Sequence, residues 1–208
     1  MTLEISVISD VICPWCFIGK RRLEQALRTL GGEVHARVTW FPFQLNPRMP
    51  AEGMDRRTYR VAKFGSWARA LELEEHVAAE GASEGIEFAF ERIARTPNTF
   101  DAHRLIWLAK RHGAQDPVVE ALFRAYFLEG RDVGSRGVLA DIAAANGIQD
   151  LDAFLRSGEG GAEVREEERQ ARRMGVSGVP FFTVNGVPFA SGAQKAEVLS
   201  RFLSEATP

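Results

Sequence analysis

Two cysteines, Cys13 and Cys16, make up the whole thiol complement of this 208-residue chain, and they stand where an alternating stretch gives way to a helical one. Leu3-Glu4-Ile5-Ser6-Val7-Ile8-Ser9 alternates like a strand, and Phe17, Leu23, Ala26, Leu27 and Leu30 then form a helical stripe. Proline is favoured at the first helical position, where its missing N–H costs nothing, so Pro14 makes Cys13 the N-cap and puts Cys16 at N3. A sulfur at the N-cap can accept bonds from the free N–H groups of the first turn, that of Cys16 among them, and it feels the positive end of the helix dipole. Cysteines so placed ionise at roughly pH 3.5 to 7.5, so the spacing predicts a thiolate at Cys13. Cys16 shares its helix face one turn on, within disulfide reach. One cysteine attacks and the other resolves.

Other uses of a C-x-x-C pair fit less well. Structural zinc needs four ligands, and there is no second pair and no H-x₃₋₅-H among the four histidines. Haem attachment needs histidine after Cys16, where Phe17 stands. Two inert core cysteines remain an alternative, though proline and tryptophan between them at a strand-to-helix junction speak against it. No metal is expected, and no cofactor beyond the redox-active pair.

The bulk properties exclude whole classes. A 45% hydrophobic content supports a packed core at this length. The net charge is −2, with both signs mixed and no basic run, so nucleic acid is not an implied partner. The strand pattern begins at Leu3 with no leader-like segment before it, and no apolar run approaches membrane-spanning length. The expectation is a cytoplasmic protein, where a cysteine pair serves catalysis or redox sensing.

Along the chain, Gly31-Gly32 stops the first helix, and Val34 to Phe43 reads as a second strand ending at Pro42, with Phe41, Phe43 and Leu45 capping the core. Residues 46–173 read as helical without a convincing strand. Arg56 to Ala79 is helical with a break at Gly65-Ser66, Gly81 to Gly85 is a loop, Thr99 caps Phe100 to His112, and Asp116-Pro117 opens the next helix in N-cap then N1 order. Ser135 to Asn146, Leu151 to Ser157 and a charged Glu159 to Met174 follow. Val179 to Ala190 is then a hairpin turning at Asn185-Gly186, and Gln194 to Glu205 a final helix. Without residues 46–173 the order is strand, helix, strand, hairpin, helix. Phe100, His103 and Trp107 share one helical stripe, Trp15 faces the surface between the cysteines, and Lys20 lies on a solvated face. The aromatic-rich helices bury internally or form a dimer surface, which leaves monomer and homodimer open.

That order, with C-x-x-C opening the first helix and Val179-Pro180 opening the hairpin, resembles the α/β thioredoxin fold with a large α-helical insertion, as in the DsbA family. The thioredoxin-like part would comprise 1–45 and 174–208, and the insertion 46–173. Ile8-Ser9-Asp10, Cys13-Pro14-Trp15-Cys16, Ile18-Gly19, Asn98-Thr99, Ala102-His103-Arg104, Gly175 to Phe182 and Ser191 to Gln194 are similar to the FrnE-type branch. The resemblance implies a thiol:disulfide oxidoreductase with Cys13 and Cys16 catalytic, Pro14, Trp15 and a cis Pro180 supporting them, and Val179 offering its backbone to an extended thiol substrate. It brings the helix of Asn98 and His103 over the site, where both could touch substrate. His103 could equally be a bonded core histidine, and Asn98 could merely shape its turn. Partners would be thiol or disulfide proteins, or glutathione. The 2-hydroxychromene-2-carboxylate isomerases and kappa-class glutathione transferases resemble this scaffold too, with serine in place of the attacking cysteine. A glutathione-dependent isomerase or transferase is therefore one alternative, and a redox-sensing binding module another.

Overall fold

The first strand is paired along both of its edges. The computed structural model describes residues 2–31 and 35–206. The expected strand start at Val34 and the Gly32 half of the glycine stop lie outside them. Strand β1 (Thr2–Ser9) pairs in parallel with β2 (His35–Pro42) and antiparallel with β5 (Phe181–Val184), which turns back into β6 (Val187–Ser191), giving the order β2-β1-β5-β6. Parallel neighbours need a crossover, and helix α1 (Pro14–Thr29) supplies it. The hairpin turns through Asn185 and Gly186 at φ 49° and 80°, the left-handed pair that a type I′ turn requires. Helix α9 (Ala196–Glu205) packs along α1.

Between β2 and β5 run β3 (Met54–Asp55), α2 (Arg56–Phe64), α3 (Trp67–Ser83), β4 (Arg95–Thr96), α4 (Phe100–Arg111), α5 (Gln115–Phe127), α6 (Arg136–Ala145), α7 (Leu151–Ser157) and α8 (Gly161–Arg173). One cluster of buried residues runs from Leu3, Ile5 and Val7 on β1 through Phe17 on α1 to Leu122 and Phe123 on α5. The Phe17 ring stacks 5.1 Å from that of Phe123 and 6.3 Å from that of Phe127. Burying such a ring contributes about 1.5–3 kcal/mol, so α1 is held against the insertion by its first turns.

Several local expectations need correction. The insertion does contain strands: Met54 pairs with Thr96 and Asp55 with Arg95 in a two-residue ladder too short to show periodicity. Gly81 is inside α3 rather than in a loop, and the Phe88 ring lies against it where a Cβ would come within 2.4 Å of the ring. Helix α5 starts at Gln115 with Ala114 as its N-cap, before Asp116-Pro117. That placement frees the Gln115 amide, whose Oε1 accepts from the Trp40 N–H at 2.9 Å and whose Nε2 donates to the Trp40 carbonyl at 3.0 Å. A side chain thus pairs with β2 where a further strand would.

Lys20 is not solvated. Only 3% exposed, its ammonium meets Glu24, Asp116 at 3.1 Å and Glu120 at 3.3 Å. Burial works against the charge, and these carboxylates outweigh it, so the Lys20 pKa rises. Charge spacing along α1 does not show that α5 brings two carboxylates to the same place.

Candidate active site

Pro14 opens α1 and Cys13 is its N-cap, at φ −92° and ψ 111°. The Cys13 N–H donates to the Asp10 carbonyl and the Cys16 N–H to the Cys13 carbonyl, each at 3.0 Å. The expected bond from the Cys16 N–H to the Cys13 sulfur is therefore not made. The Cys13 thiol instead donates to the Val179 carbonyl at 3.5 Å, across a chain separation of 166 residues. The Val179–Pro180 peptide is cis. Gly19 lets the proline come close: a Cβ at Gly19 would stand 2.9 Å from the Pro180 Cγ.

The two thiols, neither in a disulfide, differ in environment. Cys13 is 4% exposed and lines a cleft, whereas Cys16 is fully buried. Burial pushes the Cys16 thiol well above the ordinary range, and the neighbouring Cys13 sulfur pushes it further; the Ser9 side chain and the Asp10 backbone N–H pull weakly the other way. Cys16 is thus a protonated thiol at neutral pH. In the reduced protein, an alkylating reagent at pH 7 is expected to modify Cys13 alone, read by mass spectrometry, with Cys16 reacting only after unfolding. The raised pKa also fixes a sign. The folded state holds the Cys16 proton longer than the unfolded state, so this contribution to stability is complete below the ordinary thiol pKa of about 8.5 and declines as pH rises above it. Cys16→Ala should flatten that alkaline decline in chemical denaturation.

The cleft has a volume of about 360 Å³. Ile12, Cys13, Pro14, Trp15 and Val179 form one side, and Tyr59, Arg60, Lys63, Leu73 and His76 from α2 and α3 face them. Trp15 is half-buried, its ring 5.7 Å from that of His76. Arg56, Arg60 and Lys63 give this wall a positive bias, with Glu74 as the carboxylate among the lining residues. Glu74 sits 2.9 Å from the Arg60 Nε, yet burial, aided by Arg56, leaves the Arg60 pKa lowered. Tyr126, buried at the inner end, has its phenol pushed up to about 12 by desolvation.

Cys13, Pro14, Trp15 and Val179 line this cleft, and Pro180 packs on Gly19 just behind it. Asn98 and His103 are not among the lining residues. The Asn98 amide donates to the Met49 carbonyl at 2.7 Å and accepts from the Phe100 N–H at 2.9 Å, which shapes the entry to α4. His103 is 3% exposed and faces Asp10. Sequence reasoning missed Asp10 as a site residue, and also His76, whose place opposite Trp15 depends on how α3 folds back. Among the described residues, no group of three or more His, Cys, Asp or Glu side chains is arranged to hold a metal ion.

A cysteine pair opening the first helix of a thioredoxin-type sheet, with a cis-proline against it and a helical insertion over it, defines a DsbA-type protein. The chain belongs to the family of the DSBA-like thioredoxin domain, which matches residues 4–204. Among solved structures, it is similar to a probable DsbA oxidoreductase from Streptomyces coelicolor, at 32% identity over 98% of this chain and 89% of that one, with a TM-score of 0.85. The fold is shared by a 2-hydroxychromene-2-carboxylate isomerase, 16% identical over 98% of this chain and 95% of that one (TM-score 0.74). It is shared also by the cytosolic disulfide reductase DsbM from Pseudomonas aeruginosa with GSH, 18% identical over the whole of both chains (TM-score 0.63). Among the described residues, no helix is long and apolar enough to cross a membrane.

Proposed function

We propose that this chain is a thiol:disulfide oxidoreductase in which Cys13 attacks and Cys16 resolves. The observation that carries the reading is the asymmetry of the pair: Cys13 opens onto a cleft at a helix N-terminus, while Cys16 is sealed behind it as a thiol. The attacking sulfur stands at the N-terminus of α1, the end of a helix toward which anionic groups are drawn. Cys13 attacks one sulfur of a substrate disulfide, the substrate S–S bond breaks, and the leaving thiolate takes a proton. Cys16 then loses its proton and attacks Cys13, forming the intramolecular disulfide and releasing the second substrate thiol. Run in reverse, the oxidised pair donates its disulfide to substrate dithiols.

Glutathione is the small thiol that suits the cleft, because Lys63, with Arg56 and Arg60 behind it sharing the single carboxylate of Glu74, leaves the wall a net positive charge for a carboxylate-bearing peptide. DsbM, named with GSH and as cytosolic, supports both this partner and a cytoplasmic location. The same wall favours, as a second reading, a glutathione-dependent isomerase or transferase.

Equilibration against mixtures of reduced and oxidised glutathione separates them. The expected result is reversible two-electron titration of a Cys13–Cys16 disulfide, with catalysed reduction of insulin when a reductant is supplied. Tight glutathione binding with no electron exchange at any ratio overturns the redox reading in favour of the isomerase or transferase.

A further inference from the structure

Leu45 lines the redox cleft, whereas its neighbour Gln44 lines a separate pocket of about 280 Å³, together with Asn98, Phe100 and Asp101 around the start of α4 and Arg165 of α8. Gln44 is 6% exposed. Its main chain is held by α8, the N–H donating to Glu168 Oε1 and the carbonyl accepting from Arg172 Nη2, each at 3.0 Å. Its side-chain amide has no hydrogen-bond partner among the described residues. Buried amides are almost always bonded, so one left open at a pocket points to an occupant. The charges around it are unspent as well. Arg165 stands over the Phe100 ring, its guanidinium carbon 4.3 Å from the centroid, and its Nη1 donates to the Gly161 carbonyl at 3.1 Å; no carboxylate of the described residues pairs with it. Asp101 gives Oδ1 to Arg104 at 2.8 Å and keeps its second oxygen free of hydrogen bonds among the described residues. Opposite charges that line one pocket without pairing leave room for a molecule carrying both.

We propose that this pocket binds a free basic α-amino acid, its carboxylate on Arg165 and the Gln44 amide and its ammonium on Asp101. The volume equals the liquid share of about nine waters, room for a single amino acid and not for a folded element. A guanidinium holds a carboxylate through two parallel N–H bonds, and the Gln44 amide adds a further donor. The side chain is chosen by an adjoining hollow of about 150 Å³, which shares Ala51, Asn98 and Gly134 with the pocket and adds Glu52 and Asp132. Glu52 makes no ion pair among the described residues, and Asp132 accepts the Gly134 N–H at 2.9 Å and lies 3.9 Å from the Arg95 Nε. Two carboxylates there suit a cationic side chain. Asn98, which has no place in the redox cleft, thus lines both hollows. The site lies outside that cleft, and the inference does not rest on the oxidoreductase reading.

Titration calorimetry of the full chain with L-arginine tests this. The expected result is saturable one-to-one binding with a Kd below about 1 mM. N-acetyl-L-arginine, which lacks the ammonium, and L-argininamide, which lacks the carboxylate, should each bind at least about tenfold more weakly, as the loss of one charge-assisted contact requires. L-glutamate, with the opposite side-chain charge, should bind more weakly than L-arginine. Arg165→Gln and Gln44→Leu should each weaken L-arginine by about tenfold or more, while insulin reduction by Arg165→Gln keeps the wild-type rate. Absence of saturable binding overturns the proposal and leaves water as the occupant. Equal binding of the two blocked forms, or an unchanged Kd in Arg165→Gln, also overturns it, because the attraction is then only that of the surface carboxylates. Should Gln44→Leu fail to fold, Arg165→Gln and the blocked ligands decide by themselves.

Discussion

Cys16→Ala is expected to convert the protein from a catalyst into a trap. With the resolving thiol gone, Cys13 still attacks, but the mixed disulfide persists and accumulates as a covalent adduct of one substrate per chain, visible by non-reducing electrophoresis or intact mass. Cys13→Ser is expected to give neither adduct nor turnover, with insulin reduction falling to the uncatalysed rate, because a serine hydroxyl at this position carries no thiolate chemistry. The loss follows from geometry as well as identity: Cys16, in the first turn of α1, is fully buried and cannot take over the attack. Removal of either thiol alone therefore gives opposite phenotypes from neighbouring positions. A redox-sensing module without turnover would show the wild-type disulfide but no catalysed insulin reduction. A glutathione-dependent isomerase or transferase would keep its activity in Cys16→Ala. Retained turnover in Cys16→Ala would overturn the two-thiol mechanism.

What could be read from the chain beforehand is what the backbone alone decides. Pro14 can enter the helical stripe that follows it only at the first turn, which makes Cys13 the cap and places Cys16 one turn on. Asn185-Gly186 tolerates two left-handed residues in succession, so the hairpin and with it the place of β5 were legible. Side-chain fates that depend on a second element were not. Lys20 reads as solvated on α1 until Asp116 and Glu120 arrive from α5. His103 reads as a candidate for the cleft because its stripe is apolar, but the stripe reports burial and not which buried partner the ring meets; that partner is Asp10, 93 positions earlier in the chain. The Gly19 contact with Pro180 likewise joins two segments that local patterns treat separately.

Arg104, next to His103, shows the same dependence in a form that stability can measure. Its side chain is 5% exposed and donates along its whole fork: Nε and Nη2 to the Glu159 carbonyl at 3.0 and 2.9 Å, Nη2 also to the Phe154 carbonyl at 3.1 Å, and Nη1 to the Leu155 carbonyl at 3.1 Å and to Asp101 at 2.8 Å. Phe154 and Leu155 lie in α7, a short helix whose last carbonyls lack main-chain helical partners; the Ser157 hydroxyl donates to that of Phe154 at 2.8 Å, and the guanidinium reaches both from α4. The ring of Phe154 lies 5.2 Å from the guanidinium carbon. Arg104→Ala leaves the Leu155 and Glu159 carbonyls without the guanidinium and deprives the Phe154 carbonyl and part-exposed Asp101 of one partner each; several charge-assisted bonds at about 1.5–3 kcal/mol apiece, partly replaced by water, should make the loss about 3–5 kcal/mol. In a chain of this size that lowers Tm by roughly 10 °C. Arg104→Lys should recover less than half of the loss, because a single ammonium cannot reproduce the planar fork. None of these bonds reaches α1 or the cleft, so thiol exchange measured well below Tm should stay near the wild-type rate while calorimetry records the change. A melting temperature for Arg104→Ala within about 2 °C of wild type, less than the shift expected from 1 kcal/mol, would show that α7 is held by its apolar contacts alone.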